Sequence, residues 1–142
     1  MSKTFYAESA RDILLLIARI LMVLLFLIFG WGKLTNYGGT VAYFTQGDVP
    51  LPPLAAVIAI IAELGAGLAI SLGIFTRPVA ILLAIYTFAT ALLGHHFWAM
   101  SGADRVEAEI NFFKNISIIG GLLLVYLTGA GRYSIDNKMN LD

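Results

Sequence analysis

Apolar residues gather into four long runs, Ile13–Gly32, Leu54–Gly73, Pro78 to about Phe97, and Ile110–Thr128, separated by short polar or turn-forming stretches. Each run is close to the roughly 20 residues that an α-helix needs to cross about 30 Å of hydrocarbon. The pattern predicts an all-α integral membrane protein: a four-helix bundle in one domain, residues 1–142, with no room for a separate soluble domain. The first run is too long for a signal-peptide core, carries Arg19, and ends in Gly30-Trp31-Gly32-Lys33 rather than a small-residue cleavage pattern. It is therefore expected to be retained.

The connections carry their own signals. Phe75-Thr76-Arg77-Pro78 reads as a tight hairpin, with Pro where the first turn of a helix needs no N–H, so the second and third spans are antiparallel neighbours. In the first outer connection Tyr37, Val41 and Phe44 stand at i, i+4 and i+7. They predict a short amphipathic helix, either an interfacial belt or a lid over an outward cavity. Pro50, Pro52 and Pro53 force an extended entry to the second span.

Composition agrees with this pattern. Of 142 residues, 59% are hydrophobic and 13% charged, against about 25% charged in a soluble domain. So few charges could not keep that much apolar surface dissolved. The net charge of zero excludes a general attraction to nucleic acid. The absence of cysteine excludes disulfides, thiolate metal sites, iron–sulfur clusters and thiol-based redox chemistry. Lys3, Arg11, Arg77, Arg132 and Lys138 fall on one side of the bundle, and Lys33 and Arg105 on the other. The positive-inside rule then places both termini in the cytoplasm.

Ionisable groups inside spans are costly and mark candidate sites. Measured from the ends of the runs, Arg19 lies about 9 Å deep and Glu63 about 15 Å from the same face. A bidentate Arg19–Glu63 pair is therefore expected, either fixing helix packing or taking part in ligand binding or proton movement. Gly65, Ala69 and Gly73, with Gly67 and Ser71 alongside, predict close helix approach. Tyr86 and Thr90 add hydrogen-bonding groups on the third span.

A second polar set, Lys33, His95, His96, Glu109, Asn111, Lys114 and Asn115, gathers at the outer ends of the spans and predicts a polar vestibule. Adjacent histidines on a helix point about 100° apart and have no spaced ligand partner here, so no metal site is assigned. The pair reads as interfacial anchoring or as contact with a polar ligand such as a quinone head group. Lys114 can also snorkel to the interface. No phosphate loop, G-x-S-x-G elbow or H-E-x-x-H is present, so no catalytic residue is assigned and no cofactor is evident, with a quinone as the candidate.

Taken in order, these residues resemble the DoxX family of small bacterial inner-membrane proteins. The resemblance rests on Ala18-Arg19-Ile20, Gly30-Trp31-Gly32-Lys33, Glu63-Leu64-Gly65-Ala66-Gly67 with Gly73, and Thr76-Arg77. His95, Lys114-Asn115 and the tail Gly129-Ala130-Gly131-Arg132-Tyr133-Ser134-Ile135-Asp136 continue it. It implies a four-helix inner-membrane protein. Some relatives form the membrane subunit of a thiosulfate to quinone oxidoreductase, others are associated with oxidative-stress or thiol-redox partners, and such relatives usually act with a second subunit. The leading expectation is a membrane subunit or scaffold for a redox or envelope partner. The alternatives are a quinone-linked oxidoreductase component and a small-solute or proton-coupled transporter; self-association is open in each case.

Overall fold

The computed structural model describes residues 2–141, and side chains from Glu8 to Leu141. Lys3, one of the basic residues counted toward topology, lies outside the described side chains. Helix α1 (Ser2–Thr35) is the first span and α2 (Tyr37–Gln46) the short connection helix. The second span runs through α3 (Pro52–Ile60), a π-helical segment (Ile61–Ala66) and α4 (Gly67–Leu72). The third span is α5 (Thr76–Gly94), the fourth α6 (Gly102–Thr128), and α7 (Ile135–Met139) closes the tail. Four helices are long and apolar enough to cross a membrane.

Hydropathy located the hydrocarbon-facing stretches but not the helix ends. Helix α1 begins well before Ile13 and α6 begins before Ile110, because polar residues continue a helix readily once it leaves the apolar layer. The third span runs from Thr76 to Ala99 in two pieces. Helix α5 ends at Gly94, and a 3-10 turn at Phe97–Ala99 follows. That turn stacks Phe97 and Trp98 edge-on against Phe112, with ring centroids 5.5 and 5.8 Å apart. Helix α2 forms as expected, with the Asn36 side chain accepting from the Gly39 N–H at 3.2 Å. The Tyr37 hydroxyl donates to Pro53 O at 3.0 Å and holds α2 against the start of the second span.

Apolar side chains in lipid gain little by meeting one another, so close packing and polar contacts set the helix register. Between the antiparallel first and second spans, Gly30 sits against Leu64, Leu27 against Gly67, and Arg19 beside Gly73. A Cβ at Gly30 would stand 2.7 Å from the Leu64 backbone nitrogen, and one at Gly67 2.9 Å from a Leu27 methyl. These two glycines carry the close approach expected of the Gly65, Ala69 and Gly73 stripe. Gly65 is exposed, while Gly73 ends the helix in the left-handed region at φ 71°. The core is Val23, Phe26, Ile70, Ala80, Leu83, Ala84 and Leu122.

Candidate functional site

Glu63 lies in the π-helical segment of the second span and is 8% exposed. In a π-helix the backbone bonds to the fifth residue along, and such insertions within α-helices recur at functional sites. Lys33 Nζ stands 2.7 Å from Glu63 Oε2, and the Tyr86 hydroxyl donates to Oε1 at 2.6 Å. Three spans thus contribute one side chain each. The absence of a side chain at Gly30, one helical turn before Lys33, lets the first span approach Glu63 Cβ closely. The Lys33 ammonium also lies 5.7 Å from the centre of the Phe29 ring, an arrangement that favours the cation.

Both carboxylate oxygens therefore carry a strong donor, and charge-assisted bonds of this length are the strong class. An ammonium, a phenol and a carboxylate in contact can hold a proton, exchange it, or release one donor to a small polar ligand. The Lys33 side chain is 21% exposed against 10% for Glu63, so the cluster opens on the lysine side, toward the end of the bundle that carries α2.

The expected Arg19–Glu63 pair is replaced by different partners for each residue. With Gly30 level with Leu64 and Arg19 level with Gly73, Arg19 and Glu63 stand about 16 Å apart along the bundle axis, eleven residues at 1.5 Å each. Depth counted from Ile13 sets Arg19 too far from the hairpin, because α1 is continuous from Ser2 and has no end at Ile13. The close contacts at the glycines set the register instead and slide Arg19 toward the hairpin.

Arg19 is 2% exposed and spends its guanidinium on backbone carbonyls. It donates to Ala130 O, to Ser71 O at 3.1 Å and to Tyr133 O at 2.9 Å. Beside it Asp136, 3% exposed, accepts from the N–H groups of Phe75 and Thr76 at 2.7 and 2.8 Å. Asp136 thereby caps the start of α5, where orphan N–H groups and the helix dipole favour a carboxylate. Its own N–H donates to Gly73 O at 2.8 Å. A side chain at Gly73 would fall on Ser134. The tail is thus clasped over the hairpin, and Arg77 adds bonds to Tyr126 O and Leu127 O at 2.9 and 3.2 Å. Sequence reasoning missed Asp136, although an acid following a Gly-Ala-Gly bend is a signal for a cap supplied from elsewhere in the chain.

The outer polar set divides among several sites. Lys33 goes to Glu63. The Asn115 amide donates to Thr87 O at 3.4 Å and Thr90 Oγ1 at 3.3 Å, linking the third and fourth spans. His96 Nδ1 is 3.0 Å from Leu93 O, and His95, half-buried, follows the end of α5. Asn111 and Lys114 line an open depression on α6, and Glu109 is half-buried nearby in sequence. Tyr86, expected as a general hydrogen-bonding group of the bundle, is the second partner of Glu63.

This geometry can be set beside known proteins. The DoxX family model matches residues 14–96. The chain is 48% identical to "Inner membrane protein YphA" of Escherichia coli K12, over 92% of this chain and 93% of that protein. It is 44% identical to "Inner membrane protein YqjF" of the same organism, over 94% and 97%. It is 33% identical to "ER-derived vesicles protein ERV29" of Saccharomyces cerevisiae, over 94% of this chain but 36% of that longer protein. No solved structure matches the chain.

Proposed function

The chain belongs to the DoxX family, and from that premise we propose that it is a multi-pass inner-membrane protein serving as the membrane subunit of a redox or envelope partner. In this reading the Lys33–Glu63–Tyr86 cluster is the chemistry it supplies. One observation carries the reading: of the two acids and bases that sequence placed deep in the spans, Arg19 is engaged by backbone carbonyls, whereas Glu63 sits among exchangeable side-chain donors. A buried carboxylate with an ammonium and a phenol suits proton exchange at the edge of the bilayer or the seating of a small polar head group. The relatives named as inner-membrane proteins support the location, and the excess of basic residues on the side of the hairpin and termini supports cytoplasmic termini.

The second reading is a quinone head group received at this cluster. It is favoured by an apolar groove of about 290 Å³ between the second and third spans. Ile61, Ala62, Gly65 and Ala66 of the π-helical segment form one wall and Val79, Leu82 and Leu83 the other. Such a ligand requires an apolar slot and a few hydrogen-bonding groups; Lys33, Glu63 and Tyr86 do not line this groove, and Glu63 adjoins it through its chain neighbour Ala62. No separate electron carrier is assigned in this chain.

Purification from native membranes in mild detergent tests the main reading. The wild type should retain a stoichiometric partner, and Glu63→Gln should keep that partner while the complex loses its turnover. A chain that purifies alone under every mild condition overturns the subunit role. For the second reading, a soluble quinone analogue should protect the wild type against thermal unfolding and leave Tyr86→Phe unprotected. Equal protection of both proteins would remove this cluster as the quinone site.

A further inference from the structure

The fourth span buries only 6% of its most apolar window inside the chain. Its inward face, at Ala108, Asn115 and Leu122, is occupied by the bundle. The opposite face is exposed and has a regular order. Ala103, Ile110, Ser117 and Leu124 are spaced by seven, and so are Val106, Phe113, Gly120 and Leu127; all eight are exposed. Interleaved three and four apart, they occupy the a and d positions of a heptad seam about 36 Å long, apolar except for Ser117 and Gly120 at its middle, a spacing suited to packing on a second helix. Among the described residues nothing lies within 4 Å of a side chain built at Gly120, so their packing does not demand glycine there. Small residues at mid-seam, Ser117 and Gly120, permit close backbone approach from outside.

We infer that this face joins two copies of the chain, with their α6 helices parallel about a twofold axis along the membrane normal. Charge complementarity selects a second copy over another occupant, and the insertion geometry and surface shape agree with it. Copies inserted the same way present parallel fourth spans, the orientation that a parallel heptad seam requires. In that pairing a residue at g meets the residue five further along on the partner helix, at e. Glu109 stands at g and Lys114 at e, so each copy's acid meets the other's base, and twofold symmetry forms the pair twice. Neither takes part in an ion pair with its own chain among the described residues. Finally, the open depression already noted at Asn111 and Lys114 is lined above them by Ala103, Val106, Glu107 and Ile110. Residues a, d, e and the following a compose the hole that receives a d knob of the facing helix, here Val106 of the second copy.

The chain has no cysteine, so single substitutions report the seam directly. Val106→Cys, Ile110→Cys and Phe113→Cys in native membranes should give disulfide-linked dimers under mild oxidant, because facing a and d positions bring Cα atoms within about 7 Å. Leu14→Cys on the first span and Leu82→Cys on the third, both exposed, should stay monomeric. In nanodiscs or liposomes, single-molecule subunit counting should find dimers that Glu109→Lys or Lys114→Glu weakens by about fivefold, the scale of two modest ion pairs. The double reversal should restore them. Absence of cross-links at all seam positions, with monomers counted in the bilayer, would show that lipid covers this face and would overturn the inference. So would cross-linking equal to that at Leu82, a product whose mass is not twice that of the chain, or a double reversal that rescues nothing.

Discussion

Glu63 gives up hydration for two donors, and the energetic weight of that exchange can be measured. Removing one partner of a buried pair strands the other's charge, whereas removing both charges leaves no unpaired ion. Lys33→Met or Glu63→Gln alone should therefore lower stability by about 2 kcal/mol, and the double variant should lose less than the sum of the two. Unfolding of the four proteins in one detergent reads the coupling; strict additivity would mean that the contact at 2.7 Å contributes nothing. A second test at this scale compares two glycines of one motif. Gly30→Ala would place a methyl against the Leu64 backbone, while a methyl at Gly32 meets nothing within 4 Å. The first substitution should cost about 1 to 3 kcal/mol and the second almost nothing. Both glycines were visible in Gly30-Trp31-Gly32-Lys33, but only the path of the second span distinguishes them.

The tail and hairpin form a clasp whose parts come from four places in the chain: Arg19, Ser71 to Thr76, Ala130 to Tyr133, and Asp136. Its function as an element is to satisfy polar backbone where a helix ends and another begins. Asp136→Ala removes the cap on Phe75 and Thr76 and should cost about 2 kcal/mol. Protease accessibility near Arg77 should rise, and Asp136→Asn, which keeps one acceptor, should recover part of the loss. If both variants match the wild type in melting and cleavage, the cap has no energetic role. The four spans and the helix at Tyr37–Gln46 were legible from hydropathy and periodicity. The π-helical turn at Ile61–Ala66 was not, because five apolar or small residues and one acid fit an α-helix equally well; it shows only in the tertiary structure, where Glu63 meets Gly30 and Tyr86.

At the scale of the whole molecule, four spans in alternating direction bring the hairpin and the C-terminal tail to one end, and α2 and the aromatic cluster of Phe97, Trp98 and Phe112 to the other. Cysteines at Met139 and at Gly38, both exposed, should label from opposite sides of intact inner-membrane vesicles, with Met139 on the cytoplasmic side. Labelling of both from one side would break the four-span topology, and inversion of the sides would overturn the orientation drawn from the basic residues. The amino-acid sequence by itself determined that the chain enters a bilayer, how many times it crosses, and which residues are too polar to face lipid, because each of these depends on local composition over about 20 residues. Tertiary structure alone decided the partners: Glu63 with Lys33 and Tyr86, Arg19 with the carbonyls of the tail. Sequence depth locates a charge along its own helix, but the sliding of one helix past its neighbour is fixed by contacts at Gly30, Gly67 and Gly73. A shift of a few residues there changes which charges meet.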